Sequence, residues 1–349
     1  MFSCIVQHTS YVVHLSDGAL YILMIPGSVD ASTTVPFNIP TICTPLTVYQ
    51  SLLKLLSDKT SIPHPVPLQY SDTLAIIPYE YLILTCPLGT PLSELRLSGK
   101  LSERQNMLID LQIGRWMREM HDKVQNDWFG LPKTTSTQVS LPTFGIPGIH
   151  NPACGQGGDE EEPSYSWQET FTSLLESLMQ SAETLEVTPA ISYADLRRHL
   201  GRAIGSFLFD DCEVPSLVSF LGDDGSVFVD IPEPGGVSVE VDVEPIITSL
   251  LPPLYALYGD PLLESFFLSS SDGSNTNTPS QALLEGYGGT PIVFRRQKTK
   301  RVWYDVLLCL AILLVVRGET IDEERKTKGQ WALRRLTECA EILKDAPCY

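Results

Sequence analysis

The chain is short of positive charge. Its 24 Lys and Arg stand against 42 Asp and Glu, for a formal net charge of -18 and a pI near 4.7. Nucleic acid and anionic membrane surfaces both need clustered Lys and Arg to meet phosphate, so neither is expected as a partner. A long apolar run is also missing. The longest covers residues 306–316, and a helical bilayer span needs about 20 residues. The eight cysteines, at positions 4, 43, 86, 154, 212, 309, 339 and 348, form no CxxC pair. That removes the usual zinc-thiolate spacing and favours reduced thiols over disulfides. The opening MFSCIVQHTS carries neither a basic n-region nor an apolar run, so no secretory signal is read and a cytoplasmic chain is expected. What is present is apolar material: 43% hydrophobic and 19% charged residues in 349 suit one large folded domain or two ordinary ones.

The most informative gap lies in residues 214–262. VPSLVSFLGDDGSVFVD reads as a buried strand (PSLV), a loop and a second apolar strand (VFVD), which puts the loop at a strand mouth where reactive groups are commonly displayed. That loop contains no His. Its carboxylates are Asp223 and Asp224, and Gly222 and Gly225 give it the composition of a turn. The pattern resembles the catalytic loop of the aminoglycoside phosphotransferase and choline kinase-like families, their fungal members in particular, which read close to LVHGDLWPGNVFVD here. Laid on without gaps, the family His falls on Ser219, its catalytic Asp on Leu221 and its metal-binding Asn on Ser226. The later IITSLLPPLYALYGDPL lies on a family segment like RITGIIDFERALWGDPL, which puts the magnesium-binding Asp on Pro252. A second placement sets VSVEVDVE on ITGIIDFE and keeps the ligand as Asp242, but it needs an insertion before Gly259-Asp260-Pro261. The first is preferred.

Upstream, SYVVHLSDGALYILMI alternates around Ser16-Asp17-Gly18, a β-hairpin signal. The resemblance makes this hairpin the start of a small lobe, in which a glycine-rich turn covers nucleotide phosphates and the next strand carries a Lys or Arg toward them. No glycine precedes Gly18, and the basic position falls on Met24, which reads from its surroundings as a core methionine. Leucines at 46, 52, 53, 55 and 56 predict a short amphipathic helix. The family Glu that pairs with the strand lysine falls there on Tyr49. SIPHPVP and YEYLILTCPLGTPLSEL resemble the family's SIPVPEV and EYILMERLPGTPLSE, the strand and hinge between lobes, with Thr85 at the acidic hinge position. His64, between two prolines, reads as an exposed loop residue.

Downstream, Ser102 and Gln105 form a capping-box signal before a helix with Leu108, Leu111, Met117 and Met120. His121 near its end matches a family Leu-His position and is expected to favour the helix dipole or satisfy a carbonyl. Trp128-Phe129-Gly130 also matches. The Gly- and Pro-rich stretch that follows, with the acidic run at 159–162, reads as a solvated, mobile loop. Helices are expected over 167–185 and 192–209, a half-exposed strand over 237–243, and closing helices over 303–317 and 328–344. YGDPL and LEGYG resemble the family's WGDPL and EGYG. Arg295, Arg296, Lys298, Lys300 and Arg301 form the one compact basic cluster, expected to pair with the chain's own carboxylates.

The resulting expectation is an α+β, bilobal protein kinase-like fold. Residues 1–88 make a small antiparallel β-sheet lobe with one helix. Residues 89–349 make a mainly helical lobe with a degenerate catalytic loop (219–226) and mobile loops near 131–166 and 268–283. Phosphoryl transfer needs a group to position the acceptor hydroxyl, oxygen ligands for magnesium and a cation on the nucleotide phosphates. Leucine accepts no proton, and proline's ring binds no metal. The expected function is therefore a catalytically inactive pseudokinase that binds a protein or small-molecule partner, with no cofactor. The alternative is an active ATP-dependent small-molecule phosphotransferase, using Mg and ATP, with Asp223 or Asp224 as base and Asp242 as metal ligand.

Overall fold

A computed structural model describes residues 8–26, 44–73, 75–133, 163–188, 191–219, 222–232, 243–251, 256–267, 279–316 and 323–347. Strands β1 (His8–His14) and β2 (Leu20–Pro26) form the expected hairpin, with Asp17 Oδ1 accepting the Ala19 N–H at 2.9 Å in the turn. β3 (Pro67–Ser71) and β4 (Tyr81–Thr85) complete an antiparallel sheet of order β1-β2-β4-β3. Alternation along the strands puts Ile22, Met24, Leu82 and Leu84 on one face. Helix α1 (Leu46–Lys59) covers that face with Leu46, Tyr49 and Leu53. Because α1 has no side-chain N-cap, this packing is what holds it, each fully buried leucine contributing roughly 1.5–3 kcal/mol.

A two-residue strand β5 (Thr90–Pro91) and a short helix α2 (Leu92–Leu97) lead into α3 (Glu103–Lys123), which opens on the capping box read from Ser102 and Gln105. The second buried face of α1, with Val48, Leu52 and Leu56, joins Ile109, Ile113 and Met117 of α3 in one cluster. The helix is thus the joint between the sheet and the helical lobe. Two further ties cross it. Glu119 on α3 accepts the Ser61 N–H and Oγ–H at 2.9 and 2.8 Å, and the Leu250 N–H donates to the Pro63 carbonyl at 2.7 Å.

Helices α4 (Trp167–Thr184), α5 (Tyr193–Gly205), α6 (Gln281–Tyr287), α7 (Arg295–Val316) and α8 (Glu323–Lys344) build the rest of the lobe. α5 stops four residues before the expected end at 209, because the chain turns there and the Leu208 N–H closes on the Ala203 carbonyl at 3.1 Å. α7 and α8 both start earlier than expected, since their polar first turns carry no apolar periodicity to read. The loop expected near 268–283 also ends early. Ser280 caps α6, its Oγ accepting the Leu283 N–H at 3.1 Å. The rest of that loop, most of 131–166 with the acidic run, and the strand expected over 237–243 lie outside the described residues, apart from Val243.

Residues 303–312 of α7 are buried all round, the mark of a central core helix. α3 and α6 cross with backbones nearly touching. A Cβ on Gly114 would lie 2.1 Å from the Leu283 carbonyl oxygen, and one on Gly286 would lie 2.0 Å from that of Leu111. The glycines of the LEGYG motif therefore include one that the packing requires. Among the described residues no helix is long and apolar enough to cross a membrane.

Candidate functional site

Four short strands bring together the two segments singled out by sequence. β6 (Ser216–Ser219) pairs antiparallel with β9 (Ala256–Gly259), from Ser216 opposite Gly259 to Ser219 opposite Ala256. β7 (Val227–Asp230) pairs with β8 (Ile246–Leu250), beginning with Val227 opposite Leu250. The β6–β7 loop and the β8–β9 connection therefore leave from adjacent strand ends. The Leu251 N–H bonds the Ser226 carbonyl at 2.7 Å and ties the two segments directly.

Of the positions named from sequence, Ser219 ends β6 and is buried, its Oγ accepting the Gly222 N–H at 3.1 Å. Ser226 lies in a single 3-10 turn that enters β7. Leu221, Pro252 and Asp242 lie outside the described residues. Their chain neighbours are placed: Leu251 sits beside Ser226, whereas Val243 is held at the other end of β8, its carbonyl accepting from Gln105 Nε2 at 2.8 Å. Met24 and Tyr49 are 4% and 2% exposed and share one core cluster with Ile22, Leu46, Leu53, Leu82 and Leu84. The strand and the helix thus bring these two positions together, in an apolar setting.

The carboxylates of the loop are both engaged. Arg96 of α2 donates Nη1 to Asp224 Oδ2 at 2.7 Å and Nη2 to Asp110 of α3. Burial raises the Asp224 carboxyl above its ordinary value, against the opposing pull of Arg96. Asp223 pairs with Lys328 Nζ of α8 at 2.7 Å, while its Oδ1 accepts the Gly225 N–H at 3.0 Å. Its side chain remains half exposed.

Beneath the loop runs a buried polar chain. Glu264, with no exposed surface, accepts the Ser219 N–H on Oε2 at 2.9 Å and the Ser265 N–H on Oε1 at 3.0 Å. His121 Nε2 approaches the same carboxylate at 3.3 Å, and its Nδ1 meets the Tyr287 hydroxyl at 2.9 Å. His121 lies in the last turn of α3, as expected from sequence, but its ring meets the Glu264 carboxylate and the Tyr287 hydroxyl and no backbone carbonyl. Burial under α6 makes it the link between the LEGYG tyrosine and the residue two places after GDPL.

Asp260 of the YGDPL motif faces the other way. Its Oδ2 accepts Lys300 Nζ at 2.9 Å and the Tyr304 hydroxyl at 2.8 Å, and Trp167 Nε1 donates to Tyr304 at 2.7 Å. Arg301 donates to the carbonyls of Leu262 and Glu264 and pairs with Asp305 at 2.8 Å. These two members of the basic cluster pair with the chain's own carboxylates, as expected. Among the described residues, no group of three or more His, Cys, Asp and Glu side chains could hold a metal ion.

With this geometry in place, comparison with solved structures is informative. A candidate fructosamine-3-kinase from Haemophilus somnus 129PT superposes with a TM-score of 0.56 at 10% identity, over 96% of this chain and 88% of that one. A candidate aminoglycoside phosphotransferase from Ralstonia eutropha JMP134 gives 0.55 at 12% identity, over 99% and 95%. The fold is protein kinase-like. A thermostable mutant of aminoglycoside phosphotransferase APH(4)-Ia, in a ternary complex with AMP-PNP and hygromycin B, gives 0.52 at 14% identity, over 96% and 90%. No protein-family model matches the chain, and no curated protein matches it in sequence. At these identities the likeness establishes architecture and leaves activity to the site itself.

Proposed function

We propose that this chain uses a protein kinase-like frame for binding and does not transfer phosphate, engaging a protein or small-molecule partner through the cleft between its lobes. The observation that carries this reading is the burial of Met24 and Tyr49 in one apolar cluster. Kinase-type phosphoryl transfer uses a strand lysine, paired with a helix glutamate, to hold nucleotide phosphates. The resemblance puts Met24 and Tyr49 at those two positions, and a thioether and a phenol supply no cation.

The loop supports the same reading. Asp224 is committed to Arg96 and Asp223 to Lys328, so either would have to leave an ion pair to act as base or metal ligand. The strand order favours Pro252 over Asp242 for the metal position. Val243, the described neighbour of Asp242, is held beyond the far end of β8, a strand that at about 3.4 Å per residue is roughly 17 Å long, whereas Leu251, the neighbour of Pro252, bonds the Ser226 carbonyl. These donors do not fit a magnesium ion.

The alternative, an active phosphotransferase with atypical residues, keeps one observation in its favour: Asp223 is half exposed at the loop. Melting the purified protein with and without Mg·ATP separates the two readings, because a ligand bound to the native state alone raises its melting temperature. No rise is expected. A clear rise that vanishes in Asp223→Asn or Asp242→Ala would establish the active reading instead.

A further inference from the structure

The small sheet ends in two unlike edges. β3 is blunted: it opens on Pro67, its register slips between Pro67 and Gln69, and exposed Asp72 follows it. β1 carries none of these devices. Its seven residues, HTSYVVH, include no Pro, Gly, Lys, Asp or Glu, and no described strand lies beyond it. Tyr11 and Val12 point to opposite faces and are 50% and 39% exposed, so the strand is open on both sides as well as along its edge. The core cluster under α1 takes Ile22 and Met24 from β2 and Leu82 and Leu84 from β4, but no described residue of β1. What holds β1 is its ladder with β2 and the bond from His8 Nε2 to the Thr44 carbonyl at 2.9 Å. Tyr11, Val12 and Val13 are thus laid out in a strand that buries none of them.

We infer that β1 is the pairing edge of a two-fold dimer, in which a second copy of this chain lays its own β1 antiparallel to the first. Pairing the whole strand puts the axis at its middle residue: Tyr11 meets its own counterpart, Ser10 meets Val12, Thr9 meets Val13 and His8 meets His14. Such a contact is isologous and closes on itself. Aromatic and β-branched residues set opposite one another are the pairs that stabilise an antiparallel ladder. Charge selects the occupant. A chain of net charge -18 repels its own copy over most approaches, whereas residues 8–26 hold one carboxylate, Asp17 in the turn, and no Lys or Arg. The hairpin is therefore where two copies meet with least repulsion, and a strongly charged segment of another protein finds no counter-charge along it. The blunted β3 edge then stops growth at two copies. One strand pair, about 24 Å long at 3.4 Å per residue, is a small interface, under about 1,200 Å², so the dimer is expected to dissociate on dilution.

The test is analytical ultracentrifugation of the full chain over a wide range of concentration. The average mass should rise from 38.6 kDa toward twice that value. Tyr11→Lys and Tyr11→Glu each set like charges face to face on the axis, so each alone should stay monomeric, while an equimolar mixture of the two should recover the dimer. At dilutions where the wild type is monomeric, both variants should keep its melting temperature, since Tyr11 belongs to none of the buried clusters. Leu68→Lys, on the β3 edge, should dimerise as the wild type does. A wild type that stays monomeric at every concentration would overturn the inference and leave the edge to a strand of another protein. A dimer that survives either Tyr11 substitution alone, a mixture that fails to pair, or loss of the dimer in Leu68→Lys would overturn it as well. None of these outcomes depends on what the cleft binds.

Discussion

Glu264→Gln should destabilise the protein by about 2–4 kcal/mol, a value that follows from two hydrogen bonds. Each carboxylate oxygen faces a backbone N–H, Oε2 that of Ser219 and Oε1 that of Ser265. Whichever oxygen becomes the amide nitrogen then meets a donor, leaving a buried N–H without an acceptor and an NH2 without a partner, at roughly 1–3 kcal/mol each. His121 extends the effect. With Nε2–H toward the carboxylate, its Nδ1 accepts from Tyr287, whose hydroxyl burial keeps protonated. Tyr287→Phe removes that donor and should cost about 1–2 kcal/mol.

Because the three side chains form one chain, the double variant should show a coupling energy of about 0.5–3 kcal/mol. Urea unfolding of the four proteins gives the cycle, with shifts read at constant m-value. A loss below about 0.5 kcal/mol for Glu264→Gln, or strict additivity with Tyr287→Phe, would refute the argument that this network holds the loop.

Two other expectations rest on separate parts of the fold. Gly286→Ala places a methyl 2.0 Å from the Leu111 carbonyl oxygen. α3 and α6 must then separate, and a loss of about 3 kcal/mol or more is expected in the same urea assay. His199 makes stability depend on pH. Its folded pKa lies below the ordinary 6.5, so the unfolded chain takes up the proton first as pH falls. Its contribution is complete above about pH 6.5 and is lost as pH drops from there through the folded value. Melting temperatures between about pH 5 and 8 should decline on the acid side, and His199→Gln should flatten part of that decline. His8 shifts in the same direction and accounts for a remaining share.

Local signals were read well. The Asp17-Gly18 hairpin, the Ser102–Gln105 capping box and the face of α1 that bears Leu46, Tyr49 and Leu53 are all written within a few residues of where they act. What escaped was long-range. Arg96 lies 128 residues from Asp224, and Lys328 lies 105 from Asp223, so no spacing rule could join them. The partners of His121 were hidden for the same reason: Tyr287 and Glu264 come from α6 and from the turn after β9. The split of the basic cluster was equally hidden. The five cations were expected together to pair with the chain's own carboxylates, and helical geometry turns Lys300 and Arg301 inward to do so while Arg295 and Arg296 stay at the helix end.

Several residues of the motifs that match the kinase-like pattern hold the fold together in this structure. Asp260 anchors the turn after β9 on Lys300 and Tyr304, Gly286 lets two helices touch, and His121 connects α3 to Glu264. None of these roles needs a ligand. A residue that holds backbone is constrained by atoms within its own chain, whereas a base or a phosphate-binding lysine is constrained chiefly by the molecule it meets. The first kind could remain in place while the second is replaced, as the proposed reading has it at Met24 and Tyr49. Yet the loop is not merely left over. Fixing it uses Arg96 between two aspartates and a fully buried Glu264, and buried charges are expensive compared with apolar packing. Such groups give a surface one defined backbone shape, which the proposed binding of a partner would require. If Arg96→Ala releases the loop, partner binding through the cleft should be lost while the melting temperature of the helical lobe changes far less.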